Sequence, residues 1–330
     1  MAIATRLTER LGIQHPVICA PMALATGGAL AAAVSHAGGL GLVAGAYCDR
    51  EWTLGQVRAA GNARVGAGFI TWALAKAPDL LTDVLKHQPA AVFLSFGDPQ
   101  PFADEIKDAG AALICQVQSR GDAEAAIAAG ADVIVAQGAE AGGHGEVRAT
   151  MSFVPEVRDL IERHETGTLL CAAGGIADGR GLAAALALGA DGVVMGSRFW
   201  ASAESLAHDN MIAAGIAATG DDTIRSSVMD IARRLDWPGR FTARVLRNGF
   251  TDQWHGREAD LIADADAQAA RWRDAWAAGD TDVANTFVGE AAGLIHDKPP
   301  AGELLQRVVA EAESVIAANA RLIDGGRSLN

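Results

Sequence analysis

Residues 126–138, AIAAGADVIVAQG, decide the fold. They read as the end of an Ala-rich helix, a glycine, and then a short run of Val, Ile and Ala. The glycine suits a left-handed helix C-cap, and the unbroken apolar run suits a strand buried on both faces. The unit recurs as AVSHAGGLGLVAG (33–45), IKDAGAALICQV (106–117) and ALALGADGVVMGS (185–197). Further strands are predicted in PVICAP (16–21), ARVGAGFI (63–70), AAVFLSF (90–96) and TLLCAA (168–173). The result is eight strands, centred near residues 17, 41, 65, 91, 112, 132, 168 and 191. Helical stretches follow most of them, at 28–37, 53–61, 78–87, 100–109, 119–129, 154–164 and 178–187. Apolar strands alternating with helices imply a parallel sheet covered on both faces. Eight such units in about 200 residues predict an α/β fold, a (β/α)8 TIM barrel. A doubly wound open sheet is the alternative, but it does not ordinarily need eight evenly spaced strands.

The rhythm stops after about residue 204. Trp237, Trp254, Trp272 and Trp276, four of the seven tryptophans, fall between 205 and 300, where the pattern reads as helical with no obvious strand. DADAQAARWRDAWAAGD (264–280) predicts an amphipathic helix ending near Gly279. The expected division is a barrel of residues 1–204 and 301–330, closed by a long amphipathic helix over 301–323. Residues 205–300 form a helical lobe capping its mouth. Packing within that lobe is the expected role of most of these tryptophans.

Half of the 330 residues are hydrophobic and a fifth are charged, the balance of a soluble globular protein. A net charge of −13 argues against a nucleic-acid partner, which needs a basic face. The N-terminus lacks a signal-peptide pattern, and residues 27–46 are too weakly apolar to span a membrane, so a cytoplasmic protein without a membrane partner is expected. Cys19, Cys48, Cys115 and Cys171 lie far apart, without metal or redox spacing, so no disulfide and no metal site is assigned.

In a barrel of this kind the active site lies at the C-terminal ends of the strands. The tails there are CAPMALATGG, GAGFITW, CQVQSR, AQGAEAGGHGE, AAGGIADGRG and MGSRFW, rich in glycine and small polar groups. The loops after strands seven and eight are the usual phosphate site of the fold. Here they carry Gly174 and Gly175, leading to a helix near Asp178, and Gly196 and Ser197, leading to another. Backbone N–H groups at such turns bind phosphate oxygens. His144, in GAEAGGHGE (138–146), sits in a frame that cannot build a core but can curl over a ligand. Histidine titrates near neutrality and can move a proton at a substrate. The other seven histidines have ordinary structural or surface explanations. Glu140 and Glu146 are candidate helpers, with a solvated loop carboxylate as the default reading for each.

Taken with HPVICAPM (15–22), SHAGGLG (35–41), AQGAEAGGHG (136–145), residues 172–199 and residues 279–305, these loops resemble the nitronate monooxygenase family, formerly 2-nitropropane dioxygenases. The resemblance spans almost the whole chain. It implies FMN-dependent oxidation of alkyl nitronates, and of nitroalkanes where they are first deprotonated, with O2 to a carbonyl compound and nitrite. It places Pro21, Met22 and Ala23 against the flavin ring, Gly68 and Gln116 at its other edges, and Gly142 on the isoalloxazine. Gly174, Gly175, Gly196 and Ser197 would hold the phosphate, and His144 matches the family's active-site histidine. Two positions depart from relatives: an Asn after the third strand is Gly68 here, and a serine near the substrate is replaced at Phe287. Related flavoenzymes share the motifs, so an NAD(P)H-dependent quinone or enoyl-thioester reductase is the first alternative. A flavin-free barrel lyase or isomerase for a phosphorylated substrate is the second. The sequence leaves the oligomeric state open, with a homodimer as the arrangement to test.

Overall fold

The computed structural model describes residues 3–324; the first two residues and the last six of the expected barrel unit lie outside them. Eight parallel strands close a barrel: β1 (Val17–Cys19), β2 (Leu40–Ala44), β3 (Gly66–Ile70), β4 (Ala91–Ser95), β5 (Ala112–Val117), β6 (Val133–Gln137), β8 (Leu169–Ala173) and β9 (Gly192–Met195). β9 returns to pair with β1, Val17 opposite Val193 and Cys19 opposite Met195, which leaves the barrel no free edge. Each strand lies where its apolar run predicted it.

Strand alternation divides the core into two layers. Ile18, Leu42, Phe93, Ile114, Val135, Cys171 and Val194 pack with Leu7 and Leu11 of the short helix Arg6–Leu11. The intervening residues, among them Val92, Leu113, Ile134, Leu170 and Val193, pack with the surrounding helices. In seven of the eight strands the inward row then continues to the C-terminal end, reaching Ala20, Gly68, Ser95, Gln116, Gln137, Ala173 and Gly196, which all line one cavity. Small and amide side chains stand at those positions because the row has left the packed core and reached the mouth.

The helix Ala301–Asp324 packs against the helices Gly179–Ala187 and Gly28–His36, bridging the last and first barrel units. Glu311 accepts from the Gly179 N–H at 2.7 Å across that contact.

The reading of 205–300 as wholly helical is corrected. β10 (Thr223–Ser226) and β11 (Thr242–Leu246) form an antiparallel pair, Arg225 opposite Arg244. A third strand, β7 (Gly143–Gly145), joins β11 with His144 opposite Ala243, so the histidine loop is itself a strand. These strands are short and half polar, so no long apolar run announces them. The expected amphipathic helix is present as Ala265–Ala278, ending at Gly279. A second hydrophobic cluster, including Met211, Val228, Val245, Phe250 and Trp272, fills the lobe and reaches Ala25, Ala177 and Trp200 of the barrel loops.

Candidate active site

The eleven residues expected at the catalytic and cofactor site, Pro21, Met22, Ala23, Gly68, Gln116, Gly142, His144, Gly174, Gly175, Gly196 and Ser197, all line one cavity at the barrel mouth. They come from the ends of β1, β3, β5, β6, β8 and β9, and from β7. Two glycines there are required by close approach. A Cβ on Gly68 would lie 2.3 Å from Pro21 Cγ, and one on Gly142 would lie 2.6 Å from both Gly289 N and Val288 C. Gly68 therefore lets Pro21 lie across the barrel, and Gly142 lets the lobe's 288–289 backbone cross the histidine loop.

The turns at the ends of β8 and β9 carry donors. Among the described residues, no acceptor within the chain is found for the backbone N–H groups of Gly175, Ile176, Gly196 and Ser197. Two details differ from expectation. The helix Gly179–Ala187 starts with its donors already satisfied, Asp178 Oδ1 accepting from Gly181 N at 3.1 Å and Glu311 from Gly179 N. The free donors lie in the turn before that helix. The segment after Gly196 is a single turn, Ser197–Trp200, whose Ser197 Oγ accepts from Gly289 N at 2.9 Å.

His144 is 9 % exposed. Its Nε2 lies 2.8 Å from Oδ2 of Asp230, which is 3 % exposed and stands on the lobe helix Val228–Arg233. The indole of Trp237 stacks on the imidazole with centroids 3.4 Å apart and planes within 5°. Phe96 meets Trp237 and Phe241 edge-on, each at 5.1 Å. Phe96 follows β4 with φ +63°, a conformation that is costly for a bulky residue. Its backbone is thus held in a form that places the ring among those of the lobe.

The backbone of His144 is fixed by a ladder of amides. Gln137 donates to the His144 carbonyl at 3.2 Å, and Gln116 and Gln118 donate to Gln137 Oε1 at 3.1 and 2.9 Å. Upstream, Arg225 and Arg244 both donate to the Ala139 carbonyl, at 3.2 and 3.0 Å. Burial beside a second guanidinium pulls Arg225 down to about 10. The candidate helpers are committed elsewhere: Glu140 accepts from Thr150 N and Oγ1 at 3.0 and 2.8 Å, and Glu146 pairs with Arg240.

Burial lowers the His144 pKa below its ordinary value. The bond to Asp230 opposes the shift without cancelling it, and Arg233 and Arg225 add to it. The ring is therefore neutral at neutral pH. With Asp230 accepting from Nε2–H, the Nδ1 lone pair is the ring's proton acceptor.

Asp230, Arg233 and Trp237 were not found from the sequence. Asp230 lies 86 positions from His144, and Trp237 falls in an irregular stretch where its role read as lobe packing. The available signal was DIARR, which puts an acid and a base three residues apart on one helix face.

A closed parallel barrel whose strand ends and added lobe enclose a cavity lined by a histidine that a buried aspartate holds is the framework of a barrel enzyme. The chain belongs to the nitronate monooxygenase family, whose model matches residues 4–65 and 72–311, and it is an oxidoreductase of that flavin-dependent family. It is 34 % identical to a nitronate monooxygenase of Neurospora crassa, over 91 % of this chain and 89 % of that one. It is 28 % identical to the (3aS,4S,5R,7aS)-5-hydroxy-7a-methyl-1-oxo-octahydro-1H-indene-4-carboxyl-CoA dehydrogenase of Mycobacterium tuberculosis, over 98 % of this chain and 100 % of that one. The solved structure of FabK from Thermotoga maritima is similar, with a TM-score of 0.85 and 31 % identity over 97 % of this chain and 99 % of that one. Among the described residues, no helix is long and apolar enough to cross a membrane.

Proposed function

We propose that this chain binds FMN across the barrel mouth and oxidises small alkyl nitronates with O2 to a carbonyl compound and nitrite. The observation that carries the reading is the convergence of the eleven residues on one cavity, among them His144, which Asp230 holds from behind the cavity wall. The donor set suits the cofactor. Free N–H groups at Gly175, Ile176, Gly196 and Ser197 fit a phosphate, and Pro21, Met22 and Gly68 offer a flat, narrow wall to a ring system.

Bound there, FMN supplies electron acceptance and reactivity toward O2, which no side chain has. The chain's own residues do the rest. His144, neutral, removes the α-proton of a nitroalkane at Nδ1, while Asp230 holds the opposite nitrogen and stabilises the imidazolium that forms. With a preformed nitronate no proton need be taken, and His144 serves to orient the anion. Residues 205–300, on a barrel of 1–204 and 301–330, act as a substrate-capping lobe. The aromatic rings of Trp237 and Phe96 keep water from the histidine. A cytoplasmic homodimer completes the reading.

The test is an anaerobic spectrum of the purified yellow protein mixed with propyl-2-nitronate or with NADH. Loss of flavin absorbance with nitronate and little change with NADH is expected. Rapid bleaching by NADH alone would favour a reductase of acyl thioesters, the reading that the CoA-ester relative supports. A colourless protein that takes up no FMN would overturn both.

A further inference from the structure

Among the described residues, Arg233 is the only Lys or Arg that lines the cavity. It stands one helical turn beyond Asp230, and its guanidinium lies over three rings: Tyr47 at 5.1 Å, Trp272 at 5.4 Å and Phe287 at 5.8 Å. No carboxylate of the described residues forms an ion pair with it within 4.0 Å. Asp230, the acid on the same helix, has its Oδ2 engaged by His144. A partly buried guanidinium walled by aromatic faces and without an ion-paired carboxylate is prepared for an anion from outside.

Tyr47, the only tyrosine of the chain, lies in the loop after β2 and lines the same cavity. Its hydroxyl oxygen accepts from Trp237 Nε1 at 3.2 Å. With its oxygen already accepting from the indole, the phenol proton is left for another partner. Burial raises the Tyr47 pKa, which keeps that proton in place.

We propose that Arg233 and Tyr47 together recognise the head of the substrate as a planar, two-oxygen monoanion, with Trp276 and Phe287 walling a short apolar tail. The guanidinium fork matches two coplanar oxygens, as a point-charged ammonium does not. Choice of the nitronate as the head group rests on the function proposed above; the anion pocket itself does not. The consequence for specificity is that the charged nitronate is bound in preference to its neutral nitroalkane.

The experiment is calorimetric titration of the flavin-loaded protein with isobutyrate, an unreactive isostere of propyl-2-nitronate, and with neutral isobutyramide. In Arg233→Met, isobutyrate affinity is expected to fall by about tenfold or more, with isobutyramide changed less than about twofold. Arg233→Lys should retain part of the preference for the anion, and Tyr47→Phe should lose a smaller part. In parallel, Arg233→Met should raise KM for propyl-2-nitronate more than it lowers kcat. Equal weakening of both ligands would mean that Arg233 only holds the rings together, and would overturn the proposal. No weakening of either, or no isobutyrate binding by the unaltered protein, would do the same. An Arg233-dependent preference for isobutyrate in a protein that leaves nitronate unoxidised would keep the anion pocket and remove the oxidation reading.

Discussion

The Trp237 indole covers the His144 imidazole face to face, 3.4 Å between centroids and 5° from parallel, while Asp230 holds the ring's edge at 2.8 Å. The imidazole is therefore fixed in plane, in tilt and in tautomer by lobe residues, although its own backbone is reached from β6 of the barrel.

Replacing His144 with Asn should leave flavin binding intact, since the proposed phosphate and ring contacts lie elsewhere. Turnover of a nitroalkane should fall by about 10²–10⁴-fold, the usual worth of a positioned base. A preformed nitronate should lose much less. Steady-state assays with both forms of 2-nitropropane, after flavin content is measured by absorbance, provide the check; equal turnover with wild type would make His144 a structural loop residue.

The acid limb of kcat/KM for a nitroalkane should lie below pH 6.5, because burial lowers the pKa of the base and it stays unprotonated further into acid. Asp230 acts in the opposite direction by favouring the charged ring. In Asp230→Asn the limb should therefore move to still lower pH while the rate at its plateau drops. A limb that moves upward would contradict the assigned electrostatics.

Stability should follow the same proton. Between pH 6.5 and the lower native pKa, the unfolded chain binds a proton at His144 that the native chain does not. The contribution is thus full above pH 6.5 and is lost as pH falls through that window. Urea titrations across it should show a decline that is shallower in His144→Asn.

Trp237→Ala should cost about 1–3 kcal/mol, from lost ring packing against Phe96, Trp72 and His144. Trp237→Phe should restore most of the stability but not the hydrogen bond to Tyr47. Thermal melts and nitroalkane kinetics of the two variants separate the two contributions.

Gly142→Ala should destabilise by about 1–3 kcal/mol, because its methyl would press on the Val288–Gly289 backbone, which has no rotamer to yield. Gly143→Ala meets no such obstruction but must adopt φ +74°. A melt of Gly142→Ala matching wild type would show that the 288–289 crossing can shift.

Much of this was legible in the chain. The barrel strands announce themselves because each is buried on both faces and written almost wholly in apolar residues and glycine. The mouth is legible because close approach demands glycine at Gly68 and Gly142. The lobe strands were not: Thr223–Ser226 and Thr242–Leu246 alternate polar and apolar residues over too few positions to stand out from helix. Asp230 was hidden for another reason. An aspartate on a short helix reads as solvated, and only the tertiary crossing of β7 onto β11 brings it to His144.

That crossing makes His144 a shared possession. The barrel supplies its peptide, but the register with Ala243, the carboxylate and the covering indole are all supplied by the lobe. Exchanging 205–300 for the corresponding stretch of a relative would therefore transplant more than a substrate wall. It would reset the depth, tilt and basicity of the histidine in the same stroke, so the proposed base and the proposed substrate wall would travel through this fold as one cassette.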